Sequence, residues 1–252
     1  MAWLGGDQLD AVMDYPVRDL AIKFFASCMI DAETFANVVS QQLALYPQQV
    51  CEASFQLLGS HDTARLLTLC GGDEARMKLA VLFQFTYIGA PCIYYGDEIG
   101  MSGENDPDNR RCMIWAPDAQ NRELFAFYRE MIALRRSHGA LRGGGIRFLH
   151  APADGRTLAY ERFAGDERIV VAFNAGAQPQ TLRLGLGQSG EDEAAGIETW
   201  EALGGGAFRL PGGGERGGVP EFQPSRDGCL ELPLGPFGSA VLRRRVRKGA
   251  PA

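Results

Sequence analysis

Between Gln8 and Arg136 the apolar positions fall into short, β-rich runs that alternate with longer runs of helical spacing. Gln8 to Met13 reads as a short strand closed by Tyr15-Pro16, and Val17 to Phe25 then carries apolar residues at helical intervals. A second helix is predicted from Asp31 through Phe35, Val38, Val39 and Leu43. It ends at Tyr46-Pro47, because proline disfavours a helical residue before it. Phe55 to Leu58 reads as a strand, followed by a polar turn at His61-Asp62, a short helix to Leu69 and a break at Gly71-Gly72. Asp73 is placed to cap an apolar helix containing Met77, Leu79, Ala80, Leu82, Phe83 and Phe85. Gly89-Ala90-Pro91 ends that helix, and Cys92 to Tyr95 has the length and makeup of a buried strand. After a polar loop from Gly96 to Pro117, an amphipathic helix spans Asn121 to Arg136, with Leu124, Phe127, Tyr128, Met131, Ile132 and Leu134 facing inward.

From Gly143 the period changes. Short segments (Ile146 to Leu149, Thr157 to Phe163, Arg168 to Phe173, Gln180 to Leu184, Glu198 to Trp200, Leu230 to Leu234, Ala240 to Val246) alternate with Gly, Pro and Asp turns, the pattern of an all-β sandwich. The run Gly143-Gly144-Gly145 marks a boundary between residues 1–142 and residues 143–252. Gly204 to Gly206 and Gly212 to Gly218 read as hairpin ends or a surface excursion. The basic run Arg243 to Lys248 starts inside the last strand, so exposed arginines running into a frayed terminus explain it better than a nucleic-acid tail.

With 252 residues, of which 46% are hydrophobic, the chain has room for two domains and a real core. A formal charge of -6, from 25 basic and 31 acidic residues, argues against a nucleic-acid partner or an anionic membrane surface and suits a neutral ligand. The six cysteines are far apart and form no CxxC pair, so no zinc or thioredoxin-type motif is indicated, and most read as small core residues in a reducing compartment. The first residues lack the basic start and apolar core of a signal peptide, and no run approaches the length of a membrane span. The expected location is the cytoplasm.

Gly185 to Gly190 matches G-x-G-x-x-G, yet Glu191-Asp192-Glu193 follows, where a pyrophosphate would be repelled, so the match reads as a turn. Glu104 to Asn109 resembles a calcium loop, but Arg110-Arg111 stands where such a loop needs glycine, and its cations would oppose a metal. No metal and no organic cofactor is expected. Asp106 and Arg110 make better sense as a clamp on sugar hydroxyls, against the plainer alternative of a surface ion pair. Tyr94, Tyr95 and Trp115 offer apolar faces for sugar rings, or core packing. Asp97 and Glu98 are adjacent residues leaving a strand and so point to opposite faces, one of them toward the open end of the fold. They are not the paired carboxylates of a glycosidase, which stand about 5 to 5.5 Å apart in a retaining enzyme. In Leu57 to Thr63 an apolar strand delivers an imidazole and a carboxylate at its C-terminal end. Ser60, Asp62 and Thr63 are equally good helix caps.

Four ordered motifs decide between these alternatives: Asp7 to Pro16, Leu57 to Thr63, Ala90 to Gly100 and Asn105 to Arg111. In order and spacing they resemble the α-amylase family of glycoside hydrolases, and within it the neopullulanase, cyclomaltodextrinase and maltogenic amylase subgroup. The resemblance covers residues 3 to 136, and the β-rich remainder sits where that family carries a C-terminal sandwich. It implies a (β/α)8 TIM barrel, of which the three strand-helix units here are the sixth, seventh and eighth. A whole barrel takes about 250 residues, far more than precede Gly143. The family's nucleophilic Asp and general-acid Glu, on its fourth and fifth strands, are then expected upstream of Met1.

By that resemblance Asp62 is the third carboxylate, a transition-state stabiliser, and His61 donates to a hydroxyl of the sugar at the cleavage point. Asp106 and Arg110 clamp the next sugar. Asp14 stands where the family usually has Asn. The implied substrates are α-1,4 or α-1,6 linked glucans, maltooligosaccharides or cyclodextrins, hydrolysed with retention. The expectation for these 252 residues alone is inactivity. The alternatives are a glucan-binding pseudoenzyme and a partner that complements a separate N-terminal half or associates with itself through unpaired strand edges.

Overall fold

A computed structural model of the chain describes residue 4 and residues 8–186, 198–203, 221–225 and 227–246. The glycine runs at Gly204 to Gly206 and Gly212 to Gly218 lie outside the described residues. So do Gly187 to Gly190, Arg247-Lys248 and most of the N-terminal stretch.

The first helix, α1 (Tyr15–Ala21), starts where Asp14 accepts the Val17 amide at 3.2 Å and Pro16 occupies the first turn, where an amide hydrogen is not needed. It runs into one π-helical turn, Ile22–Ala26, which buries Phe24 and Phe25. The strand expected at Gln8 to Met13 is reduced to a single parallel bridge between Met13 and Phe55. Phe55 N donates to Val12 O and Asp14 N to Phe55 O, both at 2.9 Å, and α1 begins at once, so no ladder extends from this pairing. Asp31 caps α2 (Ala32–Leu45) through the Thr34 amide, and the helix stops before Pro47 as its sequence predicts. The short helix α3 (Gln48–Ala53) is not foreseen, since it buries only Val50 and carries no readable period.

β1 (Phe55–Leu57) leads through the His61-Asp62 turn to the one-turn helix α4 (Leu66–Leu69). Gly71 and Gly72, at φ +66 and +79, then reverse the chain into α5 (Glu74–Thr86), which Asp73 caps at Ala75 and Arg76. β2 (Ala90–Cys92) pairs in parallel with β1, Leu57 standing opposite Cys92. The expected strand at Cys92 to Tyr95 thus lies two residues too far along. Pro91 is tolerated within β2 because, among the described residues, the strand has a neighbour on one side only. Asn121 caps α6 (Arg122–Ser137), which buries Leu124, Phe127, Tyr128, Met131 and Leu134. Ile132, expected inward, lies at the margin of this stripe and is exposed. The short α7 (Gly139–Arg142) leads into the sheet region.

The remaining elements are β3 (Gly145–His150), β4 (Thr157–Ala164), β5 (Glu167–Asn174), β6 (Gln180–Gly185), β7 (Glu198–Ala202), β8 (Glu221–Phe222), β9 (Cys229–Leu234) and β10 (Ser239–Val246). Of these only the two-residue β8 is absent from the sequence expectation. They form an antiparallel sheet in the order β3-β4-β5-β10-β7-β8 and a separate β6-β9 ribbon. β4 and β5 are buried on both faces. Ala159, Val170, Ala172, Ala240 and Leu242 pack with Leu182, Leu184, Leu230, Leu232 and Leu234 of the ribbon. Leu158, Tyr160, Ile169, Val171, Phe173 and Val241 pack instead with the helices. Phe25 joins the two regions, with ring centroids 5.7 Å from Phe83 and 5.2 Å from Phe173.

Two arginines, Arg162 wholly buried and Arg135 partly so, fasten the same seam. Arg162 of β4 donates to Thr86 O at 2.6 Å and to Gly145 O and Gly143 O at 3.1 Å. Arg135 of α6 donates to Phe85 O at 2.9 Å and to Tyr87 O at 3.0 Å. Both cations therefore meet the C-terminal end of α5, where the helix dipole is negative. Burial pushes each guanidinium down to about 10, which leaves it charged at neutral pH. Arg243 and Arg245, expected simply to be exposed, flank Glu201 across the β10-β7 pair. Of the six cysteines only Cys70 is buried, fewer than expected, and Cys28 and Cys112 are exposed. Among the described residues no helix is long and apolar enough to cross a membrane.

Replacing Arg162 with Met keeps much of the side-chain volume but strands three backbone carbonyls. The expected loss is about 3 kcal/mol of unfolding free energy, read by urea denaturation. An unchanged midpoint would contradict the role given to this side chain.

Candidate active site

The turn after β1 is closed by its own small side chains. Ser60 N donates to Thr63 Oγ1 at 3.2 Å, while Ser60 Oγ accepts the Asp62 amide and the Tyr15 hydroxyl, each at 3.1 Å. α4 begins after Arg65 with no side-chain cap, so the capping alternative for Asp62 and Thr63 is not what the turn adopts. With Ser60 and Thr63 engaged inside the turn, the His61 and Asp62 side chains are left 60% and 58% exposed. His61 Nε2 lies 3.3 Å from Asp62 Oδ1.

Beneath the turn lies Arg65, wholly buried. Its Nη1 donates to Tyr95 O at 2.7 Å and to Asp97 Oδ1 at 3.2 Å. Its guanidinium carbon sits 4.7 Å from the Tyr94 ring centroid and 4.8 Å from that of Tyr95. Gly59 allows this packing, because a Cβ there would come within 2.4 Å of Asp97 Oδ2. Arg18 of α1 holds the end of β1 from the other side, its Nε donating to Leu58 O at 3.0 Å. Asp97 and Glu98 are not a strand-end pair, with one carboxylate facing the open end of the fold. They occupy a 3-10 turn in which Asp97 is buried against Arg65 and Glu98 folds back onto Gly96 N at 2.8 Å. Burial pushes the Asp97 carboxyl up to about 7, against the pull of Arg65.

The loop after this turn approaches the His61-Asp62 turn closely. Gly103 O accepts the Arg65 amide at 2.9 Å, and a Cβ on Gly103 would meet Asp108 O at 2.8 Å. Asp108 accepts the Glu104 amide at 2.7 Å and pairs with Arg111 at 2.9 Å; these contacts hold its carboxyl below the ordinary range. Arg110 Nε lies 3.0 Å from Asp106 Oδ1 and donates to His61 O at 2.9 Å, and its Nη2 stands 3.7 Å from Asp62 Oδ1. Asp106, Arg110, Asp62 and His61 thus form one continuous chain of contacts on an exposed face. The loop's carboxylates face arginines, and among the described residues no three His, Cys, Asp or Glu side chains gather as a metal site would require.

Three residues that organise this face were not singled out from the sequence. Arg65 acts through the Tyr95 carbonyl, the Asp97 carboxyl and two rings, and Asn109 through the His61 and Thr63 carbonyls, contacts that no spacing rule reveals. Asp108, like Asn109, stood only within the calcium-like run and the Asn105 to Arg111 motif. Tyr94 and Tyr95 brace the two loops, Tyr95 Oη donating to Arg111 O at 2.7 Å. Trp115 is 79% exposed.

Residues 1–120 match the alpha-amylase catalytic-domain family. Over this stretch the chain is similar to the alpha-amylase family. It is 48% identical, over 191 residues, to a cyclomaltodextrinase of Geobacillus thermopakistaniensis, an alignment covering 76% of this chain and 32% of that protein. It is likewise 48% identical, over 188 residues, to neopullulanase 2 of Thermoactinomyces vulgaris, covering 75% of this chain and 32% of that one. A solved cyclomaltodextrinase structure superposes over 97% of this chain and 38% of its own length, with a TM-score of 0.82 and 39% identity. The chain therefore spans about a third of the length of these alpha-amylase family relatives.

Because burial holds the Asp97 carboxyl above its ordinary value, the native state keeps a proton that the unfolded chain releases on the acid side of neutrality. The corresponding stability is full at the acid end and is lost as pH rises toward about 7. Asp97→Asn should flatten this part of a urea-unfolding profile collected across that window, and an undiminished slope would contradict the assignment.

Proposed function

We propose that the chain is the C-terminal portion of a glycoside hydrolase that cleaves α-glucans or cyclodextrins with retention. In this proposal residues 1–142 supply strands six to eight of a (β/α)8 barrel, and residues 143–252 form the β domain behind it. The observation that carries the proposal is the contact chain from Asp106 through Arg110 to Asp62 and His61, carried by the turn after β1 and the loop after β2.

Asp62 is the transition-state stabiliser. Hydrogen bonds from ring hydroxyls to its carboxylate strengthen as the sugar flattens, so the gain falls on the transition state rather than on bound substrate. A negative charge near the general acid also helps to keep that acid protonated. His61 donates to a hydroxyl of the same sugar. Asp106 and Arg110 hold the next one, where a planar guanidinium fixed by Asp106 presents its remaining donors in one orientation. The nucleophile and general acid belong to the fourth and fifth barrel strands, outside these 252 residues, so the chain by itself binds but does not cleave. No organic cofactor enters this chemistry. Six free cysteines, two of them exposed, suit a cytoplasmic setting.

A second reading has its own support. Leu9, Met13 and Phe55 are exposed apolar side chains, and the last two belong to the same parallel bridge. Such an edge favours pairing with the remaining barrel strands on another polypeptide, or with a second copy.

Isothermal titration of the purified chain with maltoheptaose should show weak binding that Arg110→Ala reduces about tenfold. The same preparation should release no nitrophenol from a nitrophenyl maltoside. Hydrolysis that disappears on Asp62→Ala would overturn the inactive-alone proposal, and absence of any glucan binding would overturn the clamp.

A further inference from the structure

All four residues of the proposed sugar-binding face lie on two loops from different parts of the chain, and one side chain joins those loops from below. Asn109 is wholly buried. Its Nδ2 donates to His61 O and to Thr63 O, both at 2.8 Å, with Ser60 O at 3.5 Å. A single amide therefore gathers the carbonyls on both sides of Asp62. The neighbouring Arg110 reaches the same His61 carbonyl through Nε at 2.9 Å, so the two residues grip one turn from adjacent positions. Tyr94 Oη lies 3.4 Å from Asn109 O and braces this segment from behind.

The polarity at this position is specific. The turn presents only carbonyls to Asn109, so an amide nitrogen is complementary and a carboxylate of the same size is not. Asn109 Oδ1 has no hydrogen-bond partner among the described residues. A buried polar atom left in that state disfavours folding, so the side chain is a poor choice for packing alone. What it provides is distance: it fixes how far the His61-Asp62 turn stands from the loop bearing Asp106 and Arg110.

We propose that Asn109 is a positioning residue that sets the spacing between the Asp62 turn and the Asp106-Arg110 clamp, and through it the fit to consecutive sugar units. The proposal deepens the α-glucan reading of this face and rests on it for the ligand. Loss of the amide lets the loops separate, so Arg110 leaves the His61 carbonyl and two neighbouring sugars are no longer held together.

The test uses the 252-residue chain and two variants, Asn109→Leu and Asn109→Asp. The Arg110 Nε–H resonance, assigned by its disappearance in Arg110→Lys, should exchange slowly in the wild type and at least about tenfold faster in a folded variant. Maltoheptaose affinity should fall about tenfold in the same variant, with maltose affinity much less affected. A folded variant with a lower melting temperature but unchanged exchange and maltoheptaose affinity would overturn the proposal and leave Asn109 a purely structural residue. If neither variant folds, the wild type still decides: an unprotected Arg110 Nε–H at neutral pH would show that the clamp is not held. Slow wild-type exchange without maltoheptaose binding would overturn the glucan reading while supporting the loop spacing.

Discussion

The Arg65 guanidinium is buried away from bulk solvent. It packs against the rings of Tyr94 and Tyr95, with Asp97 Oδ1 and the Tyr95 carbonyl as its acceptors. Taking the acceptors away from a buried guanidinium is strongly destabilising, because its charge is left uncompensated. That penalty ties the chain entering α4 to the chain leaving β2. The His61-Asp62 turn sits immediately before Arg65, and the loop bearing Asp106 and Arg110 follows the Asp97 turn. Both loops are therefore anchored at a single buried charge, and the side chains above can remain exposed without being loose.

The helices and most strands follow from local rules. Asp31, Asp73 and Asn121 cap helices at the residues where the apolar period begins, and the seven β segments after Gly143 alternate as their order in the sheet requires. The departures have physical causes. The strand at Gln8 to Met13 fails because only Phe55 is within reach of its edge. β2 ends at Cys92 because Tyr94 and Tyr95 are drawn off to flank Arg65. Alternation in β4 and β5 hides the burial of both their faces, since a side chain facing the helices and one facing the β6-β9 ribbon are equally apolar.

The candidate site was legible to a different depth. His61, Asp62, Asp106 and Arg110 stand in short motifs whose order is readable, and the fold brings all four onto one face. Asn109 and Arg65 were not legible, because their partners lie far away in sequence: main-chain carbonyls for Asn109, and a carbonyl, the Asp97 carboxyl and two rings for Arg65. Asp97 was misplaced because a pair of acidic residues after an apolar run looks like a strand end, whereas the chain there turns through a 3-10 helix and buries the carboxylate.

The alpha-amylase family match covers the α/β part of the chain and reaches to within a short distance of α6. The apolar core does not stop there, and Phe25, Phe83, Tyr160 and Phe173 belong to one cluster. The β-rich region thus supports the helices behind the site, and the arginines at the α5 C-terminus fix the two regions against each other. The most direct test of the central claim is reconstitution. The chain would be mixed with the part of the Geobacillus thermopakistaniensis cyclomaltodextrinase that lies outside the aligned segment, and nitrophenyl maltoside hydrolysis followed. Hydrolysis by the wild-type mixture, reduced roughly hundredfold or more by Asp62→Ala, is the expected result. Equal rates with and without the Asp62 carboxylate would contradict it.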